Sequence, residues 1–175
     1  MRQNYKYFLI IKHIMDEKYV YFISYNPLDA GNKPIETWAG YNVFRTGERS
    51  VLTNVKKGDR IVLYDTARGL VAEFRLIRKF DLKTILNNKE KMEVYKSLIC
   101  YPLYPFDSDD MYENGDEKIS KIHLFYDKFK IYSKIPSIED TELRLNLSSD
   151  SLRQQNGKKV EESLFDNFLN EEGVN

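Results

Sequence analysis

The residues of this 175-residue chain able to support catalysis are few: two histidines, one cysteine and scattered carboxylates. His13 and His123 each lie inside an apolar, β-rich run, where a hydrogen-bonded structural role is the simpler reading. Cys100 stands alone, and neither Cys-x-x-Cys nor His-x-x-x-His spacing occurs, which argues against a zinc site. There is no Gly-x-x-x-x-Gly-Lys-Ser/Thr loop to cradle a triphosphate and no Gly-x-Ser-x-Gly nucleophile turn. Asp65, Glu73 and Arg75 come nearest to a metal-dependent nuclease pattern, but an arginine stands where a lysine is wanted. The acidic stretch from Asp107 to Asp116 lacks the ligand spacing of a calcium loop. The expectation is a binding module and not an enzyme, with no cofactor and no metal.

Binding chemistry concentrates between Trp38 and Phe74. The only Trp of the chain begins Trp38-Ala39-Gly40-Tyr41-Asn42, and Arg45, Arg49, Lys56 and Lys57 follow. Two apolar runs, Arg60 to Asp65 and Leu70 to Phe74, then flank Arg68-Gly69. Aromatic rings among cations suit stacked bases and phosphates, although 13 Tyr and 10 Phe also suit a half-buried sheet. Residues 1–80 carry 14 basic and 8 acidic side chains, a balance of +6, and residues 81–175 carry 13 and 19, a balance of −6. The asymmetry favours a basic face for an anionic partner unless folding intermixes the halves.

The elements that must position these residues follow from periodicity. Tyr5 to Ile14 and Tyr19 to Tyr25 read as strands of a hairpin, and Asn26 to Pro34 as a loop that delivers the chain to a turn at Trp38. Phe44 to Val55 reads as irregular with a helical turn. Arg60 to Asp65 and Leu70 to Lys79 form a hairpin whose reversal uses Gly69 at positive φ. Asp81 to Ile99 has helical spacing, interrupted near Asn87-Asn88. Tyr101 to Asn114 is a loop, and Ile119 to Ser133 a strand with a bulge at Asp127-Lys128. Ser137 to Leu147 is ambiguous, although its leucines alternate as in a strand. Ser149 to Gln155 reads as a short helix stopped at Asn156-Gly157, and Glu161 to Leu169 as a helix with Leu164, Phe165, Phe168 and Leu169 on one face. Many strands with few helices and no βαβ alternation give an α+β fold, a curled mixed sheet forming an open barrel with peripheral helices.

One cysteine allows no intrachain disulfide. No secretory leader pattern and no long apolar run is present, so a cytoplasmic protein without membrane association is expected.

Trp38-x-Gly40, Asn42, Arg45, Lys57-Gly58-Asp59 before a strand ending in Tyr64, and the returning Leu70-Val71-Ala72-Glu73-Phe74 together resemble the EVE branch of the PUA-like superfamily, a relative of YTH and ASCH domains. The likeness spans residues 5 to 80, with Ser151 to Lys159 similar to the family's closing element. It implies a single PUA-like (EVE) domain over residues 1–170 that binds nucleic acid and flips a modified base into an aromatic pocket. Trp38, Tyr41 and Tyr64 would wall that pocket, and Asn42 or Asp65 would pair with the base edge. Arg45, Arg49, Lys56, Lys57, Arg68, Arg153, Lys158 and Lys159 would meet phosphates. Tyr41 stands where the family has a small apolar residue, so weak base selectivity is implied. The length and an acidic tail, residues 171–175, read as frayed, also resemble the N-terminal recognition domain of McrB-type modification-dependent restriction proteins. That likeness implies DNA as ligand, with a following AAA+ GTPase motor and a nuclease subunit as partners. A PUA- or ASCH-like RNA-binding protein is the alternative.

Overall fold

The computed structural model describes residues 18–25, 35–47, 49–65, 67–98, 112–113, 116–117, 122–147 and 157–174. The expected strand from Tyr5 to Ile14 and the helix from Ser149 to Gln155 lie outside these residues. The main sheet has six strands in the order β2 (Val43–Thr46), β7 (Ile122–Ile131), β4 (Gly69–Asp81), β3 (Arg60–Asp65), β1 (Tyr19–Tyr25) and β8 (Lys158–Glu161). Among the described strands only β1 and β3 run parallel. The expected loop after Tyr101 falls mostly outside the described residues, but β5 (Tyr112–Glu113) pairs with β6 (Asp116–Glu117) as a separate two-stranded ribbon.

The β3–β4 hairpin forms as its sequence predicts, with Gly69 at φ +93°. β3 is buried on both faces, which its run of β-branched and aromatic residues permits. β1 also occupies its predicted span, but its neighbours are distant in sequence: β3 takes one edge and β8 the other along Tyr19–Phe22. The expected bulge in β7 is present, where two of its residues, Lys128 at φ +51° and Phe129, lie between the pairs Arg75–Asp127 and Glu73–Lys130. Two further register shifts affect β4, one against each neighbour. Bulges increase local twist, and here they curl the sheet without closing it.

Three segments differ from their sequence reading. Trp38 belongs to a short helix, α1 (Ile35–Ala39), with the turn only at Gly40. The segment read as irregular contains β2 and a 3₁₀ turn (Ser50–Leu52). The segment after Ser137 forms helix α4 (Ile138–Arg144) and not a strand, because Ser137 caps it by accepting from the Asp140 amide at 3.0 Å. Leu143 is left 78% exposed, while Leu145 and Leu147 lie beyond the helix and are buried. The helical region after Asp81 divides as expected into α2 (Leu82–Leu86) and α3 (Lys89–Leu98), with the break at Asn87-Asn88.

The curl separates two cores. The inner face gathers Tyr21, Ile23 and Tyr25 of β1, Ile61 and Leu63 of β3, Phe74 and Leu76 of β4, and Phe44 of β2. The outer face carries Val20, Phe22, Val62 and Tyr64, covered by Phe165, Phe168 and Leu169 of helix α5 (Glu162–Glu171). Leu164, expected on that apolar face, is instead 47% exposed, since the buried stripe follows the 165, 168, 169 spacing. At the end of α5 and just beyond it, Val174 is buried and its amide donates to Leu169 O at 2.9 Å, while Glu171 and Glu172 both pair with Arg144.

Helix α5 is also held by charge. Arg60, 7% exposed, meets Glu73 at 2.5 Å and Asp166 at 2.5 Å, with its guanidinium 4.8 Å from the Phe165 ring centre. Burial alone would lower its pKa, but Glu73 and Asp166 outweigh that and hold it above the usual arginine range. Truncation Arg60→Ala leaves Glu73 without its buried cation. A loss of about 3–5 kcal/mol in urea unfolding is expected, with Arg60→Met milder because it refills the volume.

Candidate nucleic-acid interface

Trp38 is the largest side chain of the inner core and is 1% exposed. Helix α1 seats it against Phe44, with ring centres 5.1 Å apart, and Tyr41, at 5.7 Å and nearly perpendicular. Its carbonyl accepts hydrogen bonds from the Tyr126 hydroxyl at 2.5 Å and the Tyr41 amide at 3.1 Å. Burial raises the pKa of the Tyr126 hydroxyl well beyond the usual tyrosine value, so it remains a neutral donor. From Phe44 and Tyr126 the aromatic contacts continue through Phe74 to Phe129. Trp38 is thus the plug of the curled sheet.

The other residues expected around a base pocket do not converge on it. Tyr64, fully buried, lies in the outer core, on the opposite side of the sheet from Trp38, and its hydroxyl is 3.3 Å from Glu142. Successive strand residues alternate between faces, so Tyr64 must face the outer core once Leu63 faces the inner one. Asp65 is taken up by the hairpin reversal, accepting from the Ala67 amide and Arg68 Nε, both at 2.8 Å. Glu73 belongs to the Arg60 cluster, and accepts from the Tyr132 hydroxyl at 2.6 Å, so Asp65 and Glu73 serve separate arginines. Asn42 is tied to helix α3 through Leu98 O. Tyr41 remains half-buried at the edge of the inner core. His123 is buried beside Tyr95, with Nδ1 2.7 Å from the hydroxyl, the hydrogen-bonded structural role its sequence context suggests. Among the described residues no three His, Cys, Asp or Glu side chains are grouped to hold a metal.

The expected phosphate contacts divide more usefully. Arg49 donates through Nε to Thr46 Oγ1 at 2.8 Å and through one terminal nitrogen to Ser24 Oγ at 2.9 Å. Ser24 is in β1 and Thr46 in β2, which have three strands between them in the sheet, so Arg49 fastens the seam where the curled sheet approaches itself. Gly157, at φ +65° just before β8, lies against the same seam: a methyl there would come within 2.5 Å of both Phe22 O and Val51 Cγ1. This brings Lys158 close to the 3₁₀ turn in the chain path. Lys56 and Lys57 are exposed beyond that turn, and Arg45 is half-exposed on edge strand β2. Arg68 lies apart, at the far reversal of the hairpin, paired with Asp65. Lys159 places its ammonium 4.2 Å from the Tyr19 ring centre. Arg153 lies outside the described residues.

A cleft of about 420 Å³ opens at the seam, lined by Arg49, Ser50, Leu52, Thr53, Lys79, Asp81 and Ile122. Lys79 and Asp81 were not singled out by the sequence. Lys79 donates to Leu52 O at 2.5 Å and Thr53 O at 3.1 Å, carbonyls at the end of the 3₁₀ turn. Burial holds its pKa below the usual lysine value, opposed by Asp81. The alternation Lys79-Phe80-Asp81, two charges straddling a buried ring at the end of a strand, is the signal that could have marked them.

Comparison with solved structures gives a fold. The chain is similar to the ASCH protein of Zymomonas mobilis, with a TM-score of 0.50 at 13% identity over 86% of this chain and 94% of that one. A tyrosine-to-phenylalanine mutant of the same protein gives a TM-score of 0.52 at 10% identity over 86% and 96%. No family model matches the chain, and no curated protein matches it. Trp38→Ala is expected to cost about 3–5 kcal/mol in denaturant unfolding, as emptying a packed aromatic site does; an unchanged midpoint would remove Trp38 from the core. The curled, unclosed sheet with its flanking helices is therefore similar in fold to the Zymomonas mobilis ASCH protein, while nothing in these comparisons reaches the narrower EVE likeness.

Proposed function

We propose that the chain is a cytoplasmic nucleic-acid-binding module and not an enzyme, taking its ligand along the basic seam around the 3₁₀ turn. The observation that carries this reading is the cleft in which Arg49 and Lys79 stand together, bordered in the chain path by Lys56, Lys57 and Lys158. The fold likeness to ASCH domains supports it as an analogy, since a fold alone does not determine function. A base taken out of its stack would enter this cleft, because Trp38 has no surface to offer. Our finer reading is a DNA-recognition module of a modification-dependent, McrBC-type restriction system, with weak selectivity among modified bases and an AAA+ GTPase and nuclease as partners.

The test is fluorescence anisotropy of labelled duplex and single-stranded oligonucleotides. For about four phosphate contacts, affinity should fall on the order of a hundredfold between about 50 and about 200 mM salt. Arg45→Ala and Lys158→Ala should each weaken all sequences alike and flatten the salt slope by about one contact. Absence of binding at low salt overturns the proposal. Competition by RNA of equal length decides the ligand: displacement of DNA at lower RNA concentrations makes the module an RNA binder.

A further inference from the structure

We infer that Lys79 and Asp81 form a reader for the edge of a guanine base at the bottom of the seam cleft. This deepens the nucleic-acid reading and rests on it. The two residues are separated by one position on β4 and so point to the same side of the strand. Both line the cleft, whose volume of about 420 Å³ lies in the range of small-molecule sites, about 300–1,000 Å³. Ile122, with the buried Leu52 behind the turn, gives the cleft an apolar edge against which a flat ring would lie. Ser50, Thr53 and Arg49 complete the lining with hydroxyls and a cation suited to the sugar and phosphate.

The donor and acceptor inventory selects the base. An ammonium has three donors, and the Lys79 bonds given above use two, to Leu52 O and Thr53 O. Asp81 accepts from the Lys83 amide at 2.9 Å through Oδ1, which leaves acceptor capacity on both carboxylate oxygens. A carboxylate beside an ammonium matches a base edge carrying two neighbouring N–H donors next to a carbonyl. Guanine presents that set: N1–H and the exocyclic amine donate to the carboxylate, and O6 accepts from the ammonium. Adenine and cytosine offer a single donating group there, and uracil flanks its one N–H with carbonyls that a carboxylate repels.

The probes are guanosine, adenosine, cytidine and uridine 5′-monophosphates and a mixed-sequence oligonucleotide, titrated calorimetrically into the intact chain. The guanine nucleotide should bind at least tenfold more tightly than the other three, and Asp81→Asn should abolish that preference. Asparagine caps a helix as well as aspartate does, so the variant keeps the start of α2, and an unchanged melting midpoint verifies it. Lys79→Gln should also reduce the preference. Oligonucleotide binding with equal affinity for the four nucleotides, or a preference that survives Asp81→Asn, overturns the guanine reader and leaves the nucleic-acid module standing. Binding of the guanine nucleotide without the oligonucleotide supports the reader as a free-nucleotide site and overturns the module. Failure of every ligand overturns both.

Discussion

The burial of Arg60 is the constraint on which the rest of the structure depends. A guanidinium removed from water costs several kcal/mol unless it is paired and hydrogen-bonded. Here Glu73 of β4 and Asp166 of α5 supply the pairing, and Glu162 approaches to 3.9 Å. The cluster extends through Arg75, 2.7 Å from Glu162, and through Tyr132, whose hydroxyl donates to Glu73. Placing one helix across two strands in this way decides which face of the sheet is covered. Phe165 then stands edge-on to Phe22, with ring centres 5.2 Å apart, and the outer core closes beneath α5.

With the outer face closed by α5, the inner face is filled by the sheet's own side chains together with those of α1, α2, α3 and the 3₁₀ turn. That explains the aromatic richness of the chain. Bulges in β4 and β7 tighten the curl, and the enclosed space takes Trp38, Tyr25, Phe44, Phe74 and Tyr126. Rings that could have stacked on bases are engaged with one another. The proposed ligand surface is instead the seam, where the curled sheet approaches itself and Arg49 bridges β1 and β2 with its side chain.

Part of the charge asymmetry along the chain serves internal order. Arg60 and Arg75 from the basic half pair with Glu162 and Asp166 from the acidic half, so folding intermixes charges that the linear sequence separates. At the seam Arg49 and Lys79 stand beside the exposed Ser50 and Thr53, which gives the cleft its polar character.

The sequence by itself determined several of the local elements. The β3–β4 hairpin needed only two apolar runs around Gly69, the helical break needed only Asn87-Asn88, and the β7 bulge was visible in an interrupted alternation. It also pointed to a curled α+β sheet, because strand-rich spacing without βαβ repeats leaves few other arrangements. Only the tertiary structure decided which face each strand residue occupies and which distant strands become neighbours. Trp38 and Tyr64 look alike in sequence, yet the sheet lies between them, and Ser137 turned alternating leucines into a helix end. The cleft was invisible for the same reason: Arg49, Lys79 and Asp81 converge through the curl, a property of non-local pairing that no window of sequence contains.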